Sequence, residues 1–432
     1  MRVSGWGRYP VAEAEVIAAR SYEQVRSAVL GGAVTPRGLG RSYGDSALGD
    51  RVLELTGLDH FIAFDAATGS LTCEAGVSLA EVLAAFVPRG WFLPVTPGTK
   101  YVTVGGAVAS DVHGKNHHKD GTFGDHVTSL RLMVASGEVL DVSRESHPEL
   151  FHATCGGMGL TGVILEVTFR LKRVRSRFVD ETVIKAPTLD AAIEAFDEHG
   201  SATYSVGWID LVASGRRLGR SLVMVGEHAD DGNLAGRRGG PMAAVPLEMP
   251  GALLNPLSVK AFNTLYYERI RGTVTQHRVG YEPYFYPLDK LADWNKLYGR
   301  AGFLQYQFAV PFSGRAALQE AVRRITEARL ASPLAVLKVF GPANDNLLSF
   351  PMAGYTLALD FKVDDRALRL CDELDRLVLG AGGRVYLTKD ARMSAATLRA
   401  SYPRLEEFEK VRREYGAEGV FTSAQWKRWG LS

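Results

Sequence analysis

The stretch that decides the fold reads Pro97-Gly98-Thr99-Lys100-Tyr101-Val102-Thr103-Val104-Gly105-Gly106-Ala107-Val108-Ala109-Ser110-Asp111-Val112-His113-Gly114-Lys115-Asn116-His117-His118. A short apolar run meets paired glycines, then small residues, then a dense polar cluster. It has the periodicity of neither a core strand nor a surface helix. Gly105, Gly106 and Gly114 allow backbone to approach a neighbour closely or to adopt positive φ. His113, Lys115, His117 and His118 place charge and proton-transfer groups beside them. The combination predicts a large anionic ligand along the glycines and a reacting molecule at the polar end.

Two more glycine clusters flank this stretch. After a short strand comes Arg37-Gly38-Leu39-Gly40-Arg41-Ser42-Tyr43-Gly44-Asp45, and before the strand 163–169 comes Gly156-Gly157-Met158-Gly159-Leu160-Thr161-Gly162. The Gly-x-Gly at Gly38 raises a Rossmann dinucleotide loop, which needs a helix directly after its glycines. Residues 46–50 are turn-like and 52–55 read as a strand, so that reading fails on context. A loop whose backbone N–H groups cradle phosphate, flanked by Arg37 and Arg41, remains. Three glycine clusters, each beside a strand, predict one extended ligand held at several points.

A chain of 432 residues predicts two domains. Lys+Arg 50 against Asp+Glu 48 leaves a net charge of +2, so no basic field invites nucleic acid. Cys73, Cys155 and Cys371 are scattered, which argues against a disulfide framework or a cysteine zinc site. Cys371 shares a helical face with Leu374 and Val378 and reads as core. The start lacks the apolar stretch of a secretory signal, and no run is long enough to span a membrane. Segment 241–259 is apolar but broken by Pro241, Pro246, Pro250 and Pro256, so it reads as a loop. The sharper alternative is contact of the 230–275 region with a lipid or membrane surface. The polar, glycine-rich 230–240 reads as mobile.

Among the elements, 12–30 reads as a helix, 71–77 as a strand, and Ser78 with Glu81 as a capping box opening a helix through Phe86. Segments 129–135 and 138–142 form a hairpin around Ser136-Gly137. From about 178 a second α+β pattern begins. It includes a strand at 303–312 with Gln305 and Gln307 on one face, a strand at 334–340 holding Lys338, and a strand at 355–363 pairing with it. A helix at 366–379 follows, then a return at 385–387 before Lys389 and a terminal helical region at 398–415. His113, His117 and His118 invite a metal, but no Asp, Glu or Cys set stands at ligand spacing, so no metal is expected. His117 and His118 read as solvated loop residues.

The three glycine motifs, with His113-Gly114-Lys115-Asn116-His117-His118, resemble the FAD domain of the vanillyl-alcohol-oxidase superfamily. Segments 303–308, 337–341 and 348–351, with Thr388-Lys389-Asp390-Ala391-Arg392, extend the likeness over nearly the whole chain. It is narrowest toward members that oxidise a polyprenyl-phosphate-linked pentose. The resemblance implies an α+β, two-domain PCMH-type FAD-binding fold, with an antiparallel substrate-domain sheet covered by helices. Residues 1–177 would bind FAD, 178–383 the substrate, and 384–432 would return to the FAD domain.

The same resemblance implies cofactor contacts from Arg37, Gly38, Leu39, Gly40, Arg41, Ser42, Tyr43 and Gly44 at the pyrophosphate. Pro97, Gly98, Thr99, Val104, Gly105, Gly106, Ala109, Ser110, His113, Gly114 and Asn116 would follow the cofactor onward. Gly159, Leu160, Gly162 and Ile164 would line the adenine side, and Tyr386 would come from the returning segment. Gln305, Gln307, Lys338, Thr356, Ala358, Lys389 and Arg392 would meet the substrate. Lys389 would handle the hydroxyl proton, supported by His113, Lys115 and Tyr43. Arg41 stands where many members attach the flavin to a histidine, so FAD is expected without a covalent bond. Ala358 stands where some members carry a cysteine, which alters the pocket and removes a target for thiol-directed compounds. The implied activity is oxidation of a secondary sugar hydroxyl, the ribose 2-hydroxyl of a lipid-phosphate sugar, as the first half of an epimerisation that a short-chain reductase completes. The protein would work in the cytoplasm, peripheral to the inner membrane. Oxidation of free alditols or aldonolactones, and flavin binding without turnover, are the alternatives.

Overall fold

Apolar residues alternating with polar ones build the first sheet, because a period of two turns one strand face inward. The computed structural model describes residues 1–236, 243–245, 255–330, 332 and 334–431. Three short parallel strands, β1 (Glu15–Ala18), β2 (Thr35–Arg37) and β3 (Arg51–Glu54), pair in the order β1-β3-β2. Next to them lies an antiparallel sheet of β4 (Phe61–Asp65), β5 (Ser70–Glu74), β6 (Val127–Met133), β7 (Val139–Ser143) and β8 (Val163–Arg170), in the order β7-β6-β8-β5-β4. The β6–β7 hairpin turns at Ser136-Gly137 as its sequence predicts, pairing Met133 with Val139. Ser78 and Glu81 form the predicted reciprocal cap on the helix Leu79–Phe86.

Two expectations fail here for local reasons. The helix expected over 12–30 exists only as α1 (Tyr22–Leu30), capped by Ser21. Val16 and Ile17 before it sit in β1, where β-branched side chains pair across to β3. The paired glycines also lie in a helix, α2 (Val104–Ala109), capped by the Thr103 hydroxyl. Neither glycine has a positive φ. Gly105 instead packs on the strand-end residue Ala75, whose carbonyl accepts its N–H at 2.8 Å.

The second sheet has eight antiparallel strands: β9 (Phe178–Ala186), β10 (Tyr204–Ile209), β11 (Ser221–His228), β12 (Val274–Gly280), β13 (Phe303–Pro311), β14 (Ala335–Phe340), β15 (Gly354–Lys362) and β16 (Arg384–Val385). Their order is β12-β9-β11-β10-β14-β15-β13-β16. Helices α3 (Leu189–Glu198), α4 (Arg315–Ala328) and α5 (Asp365–Gly380) pack on this sheet, burying Leu318, Val322, Leu370, Cys371 and Leu374. The other face presents Gln305, Gln307, Lys338 and Ala358 to a cavity. The terminal helical region breaks at Tyr402-Pro403 into Ala395–Ser401 and Leu405–Glu414, as a residue before proline resists helix. Pro256 opens a helix, Pro256–Glu268, at the position where proline costs no hydrogen bond. The remainder of the expected 241–259 loop, and the end of 230–240, lie mostly outside the described residues. No described helix is long and apolar enough to cross a membrane.

Asp111, just past α2, ties the two sheets together. Its buried carboxylate accepts from Gly124 N (2.9 Å), Asn346 Nδ2 (2.9 Å), Asn344 Nδ2 (3.0 Å) and Ser349 Oγ (2.6 Å). Replacing it leaves Gly124 N, Asn346 Nδ2 and Ser349 Oγ without this acceptor, while Asn344 Nδ2 keeps Thr122 Oγ1 and Asp125 Oδ1. Asp111→Ala is expected to lower the unfolding free energy by about 3 kcal/mol, read from denaturant titration of the flavin-loaded protein. An unchanged midpoint would show that the knot carries no stability.

Candidate active site

One continuous cavity of about 740 Å³ runs between the two sheets. Loop 37–43, entering from β2, forms one end. The backbone N–H groups of Gly38, Leu39, Gly40, Arg41 and Ser42 find no protein acceptor among the described residues, and the buried Ser42 hydroxyl has no partner. A row of unpaired backbone N–H groups at one end of a cavity, a nest, is the donor pattern that suits an anion. Arg37 is already committed to the carbonyls of Ala47 and Ser4, at 3.0 and 2.7 Å. The Arg41 guanidinium instead lies over Trp6, 3.9 Å from the ring centre, on the cavity wall. Farther along, Gly98 carries no side chain where a Cβ would meet nothing within 4 Å. The walls there are bare backbone, as an elongated planar ligand requires.

The sheet-facing end holds the titratable groups. Lys389 follows β16 in a single turn, Leu387–Lys389, and its Nζ sits 3.9 Å from the centre of the Tyr43 ring. Burial holds its pKa down to about 7, with Lys338 pushing the same way and Asp360 opposing. Lys338 is likewise held near 7 by burial and by Lys115. Lys115 is lowered to about 8 by burial, while Glu181 opposes the shift; its Nζ donates to the Tyr284 carbonyl. His113 lies between Lys338 Nζ, 3.2 Å from its Nδ1, and Gln307 Nε2, 3.1 Å from its Nε2. Burial drives the imidazole well below its usual pKa, with Lys338 adding to the effect, so it is neutral at pH 7. Gln305 donates to Asp360 at 2.7 Å, and burial pushes that carboxyl up to about 7.

Lys389 owes its place to distant residues. Tyr43 N donates to Thr388 O at 3.0 Å, and a Cβ at Gly44 would run into the Asp390 carbonyl. Arg428 then bridges Asp45, at 2.9 Å, and Asp390, at 2.7 Å.

Most of the residues singled out from sequence meet on this cavity. Arg37 to Tyr43, Pro97 to Thr99, Gly105, Gly106, Ala109, Ser110, His113 to Lys115, Gly159, Gly162, Ile164, Gln305, Gln307, Lys338, Ala358, Tyr386 and Lys389 all line it. Six do not. Gly44 packs against Asp390, and Val104 and Leu160 are core residues. Asn116 is buried and donates to Pro94 O and Asp120. Thr356 donates to Phe308 O. Arg392 is held by Asp375 at 2.7 Å and by Asp372 from α5, so it is not at hand for substrate. His117 is buried rather than solvated, taking the Gly341 N–H on Nδ1 at 3.1 Å. Trp6, Glu181, Trp208, Tyr266, Arg269 and Asp289 line the cavity without having been singled out. Their sequence contexts are ordinary strands, a helix and turns, and only long-range packing brings them here.

A family model described as "FAD binding domain" matches residues 13–143. The chain is 36% identical to decaprenylphosphoryl-beta-D-ribose oxidase of Mycolicibacterium smegmatis, covering 99% of this chain and 97% of that one. It is 35% identical to an uncharacterized protein of Streptomyces coelicolor, over 82% of this chain and all of the other. To bovine L-gulonolactone oxidase it is 30% identical over 43% of this chain and 40% of that one. The protein is an FAD-dependent oxidoreductase. It belongs to the vanillyl-alcohol-oxidase superfamily of FAD-linked oxidases.

The nest and the bare glycine walls fit FAD. Loop 37–43 would hold the pyrophosphate by its N–H groups, and the backbone around Gly98 and Gly106 would lie along the rest. Gly98→Leu places a side chain in open cavity without touching backbone. The variant is expected to purify folded but colourless, with at least about tenfold weaker FAD binding by fluorescence titration. Retained yellow colour would exclude this wall as the cofactor's bed.

Proposed function

We propose that this chain oxidises a secondary hydroxyl of a sugar carried on a polyprenyl phosphate, the ribose 2-hydroxyl becoming a ketone. That step would be the first half of an epimerisation, with a separate short-chain reductase as partner. The observation that carries this reading is the convergence of Lys389, His113, Lys338, Gln305 and Gln307 on the wall facing the cofactor's bed. Near-complete coverage of the mycobacterial oxidase supports the lipid-linked substrate, and the lactone oxidase, matched over 43% of the chain, supports it less. Lys338, Lys115 and Arg269 offer cations to the substrate phosphate in place of Arg392. A lipid carrier brings the protein to the inner-membrane surface from the cytoplasm, with contact through the 230–275 region. We further propose that FAD is held without a covalent bond, since loop 37–45 contains Arg41 and no histidine.

Bound FAD supplies a two-electron acceptor for the hydride of a carbinol C–H. The chain's own residues must take the hydroxyl proton and hold the carbon in place. Lys389 Nζ, as a neutral amine, accepts that proton, and burial is what makes the neutral form accessible near pH 7. Gln305, its amide nitrogen fixed on Asp360, keeps its carbonyl oxygen as an acceptor for a second hydroxyl. His113 and Gln307 fix the adjoining wall.

Lys389→Ala is expected to retain FAD but to lose at least about a hundredfold in the rate of anaerobic flavin bleaching. In the parent enzyme that rate should rise with pH through about 7, because the amine works only deprotonated. Normal bleaching by the variant, or a rate falling across that range, would remove Lys389 from the role. Bleaching by free alditols or lactones, but not by polyprenyl-phosphate sugars, would favour the alternative substrates. No bleaching by either class would favour a flavin-binding protein without turnover.

A further inference from the structure

The helix Pro256–Glu268, here α6, exposes large apolar side chains among its polar ones. Its inner face is Val259, Asn263 and Tyr267. Its outer face carries Leu257, Ala261 and Leu265 at every fourth position, with the two leucines 79% and 74% exposed. A surface helix ordinarily turns polar residues outward. Phe262 adds to the apolar area, so three of the eleven exposed large hydrophobics among the described residues lie on this one helix. Single exposed leucines need no explanation, but a clustered patch does.

Two more observations say what covers it. Lys260, Arg269 and Arg271 stand among these residues, all exposed, and the one acid of the helix, Glu268, is engaged by Lys185 at 2.6 Å. An apolar patch ringed by cations matches an anionic lipid surface. The same helix also closes one end of the active-site cavity, which Phe262, Tyr266 and Arg269 line beside Trp208 and Met224. Trp208 and Tyr266 are 4.8 Å apart, so this end is aromatic, unlike the lysine-rich end near Lys389.

We propose that α6 lies in the surface of an anionic bilayer, with Leu257 and Leu265 among the acyl chains. The cavity then opens at the lipid boundary, and a prenyl chain enters past Phe262, Tyr266 and Trp208 without crossing water. The entry route rests on the lipid-carried substrate proposed above, whereas the docking surface does not.

The test compares the full-length, FAD-loaded protein with a Leu257→Glu/Leu265→Glu double variant in co-sedimentation with vesicles of phosphatidylglycerol and phosphatidylcholine. The parent is expected to sediment with these vesicles, and less with phosphatidylcholine alone or at high salt. The double variant should partition on the order of tenfold less, since two leucines no longer leave water. Phe61→Glu, an exposed apolar residue on β4, should partition like the parent. Neither leucine lines the cavity, so flavin bleaching by a short-chain, water-soluble prenyl-phosphate sugar should be unchanged, while bleaching by a long-chain one in vesicles falls. Equal sedimentation of parent and double variant overturns the proposal, as does equal loss in Phe61→Glu. A dimer in solution that the double variant dissolves, without vesicle binding, assigns the patch to a second copy and also overturns it. If no lipid-carried sugar bleaches the parent while the double variant still loses the vesicles, the substrate reading fails and the docking surface stands.

Discussion

The Asp111 carboxylate is the interaction on which the site depends. A buried carboxylate without an ion pair is costly unless donors surround it, and here four donors do so. They come from the turn after α2 and from the loop that follows β14. The knot therefore fixes two things at once. It holds α2, which passes the cofactor's bed, and it sets the position of β14, which carries Lys338, relative to His113. Only Val112 separates Asp111 from His113, so play in the knot becomes misalignment of the imidazole.

The cavity concentrates positive charge and then suppresses it. Lys115, Lys338 and Lys389 line one cavity; burial lowers all three, and a neighbouring lysine adds to the shift at Lys338 and at Lys389. Such a space suits an anion, because a substrate phosphate would relieve that repulsion. Asp360 is the counterweight. It lies behind Gln305 and Tyr298 and opposes the shift at Lys389, as Glu181 does at Lys115.

Much of this was legible before folding. Glycine clusters beside strands marked residues that line the cavity, and Lys389, which stood out by its place in a returning segment, lines it too. Strand parity put Gln305 and Gln307 on one face. What the sequence hid were the partners. Arg392 belongs to the same short run as Lys389, but α5 brings Asp372 and Asp375 under it. Gly44 sits in a ligand-binding loop, yet its missing side chain serves Asp390. Val16 and Ile17 are apolar at spacings that suit a helix, and only pairing with β3 makes them a strand. Trp208, Tyr266 and Glu181 carry no local signal, since their role arises where strands far apart in sequence meet.

The contacts of His113 have a further consequence. A neutral imidazole owns one N–H and one lone pair, and here a lysine flanks one nitrogen and an amide the other. With Gln307 donating to Nε2, the imidazole proton sits on Nδ1 and needs the lone pair of an uncharged Lys338. When Lys338 takes up a proton, Nδ1 must accept instead, Nε2 must donate, and the Gln307 amide must turn its oxygen inward. A single protonation thus reverses the donor and acceptor sense along the whole row. For a sugar bound at this wall, acidity would then change the pattern of donors and acceptors its hydroxyl groups meet, and selectivity would become a property of the medium as well as of the protein.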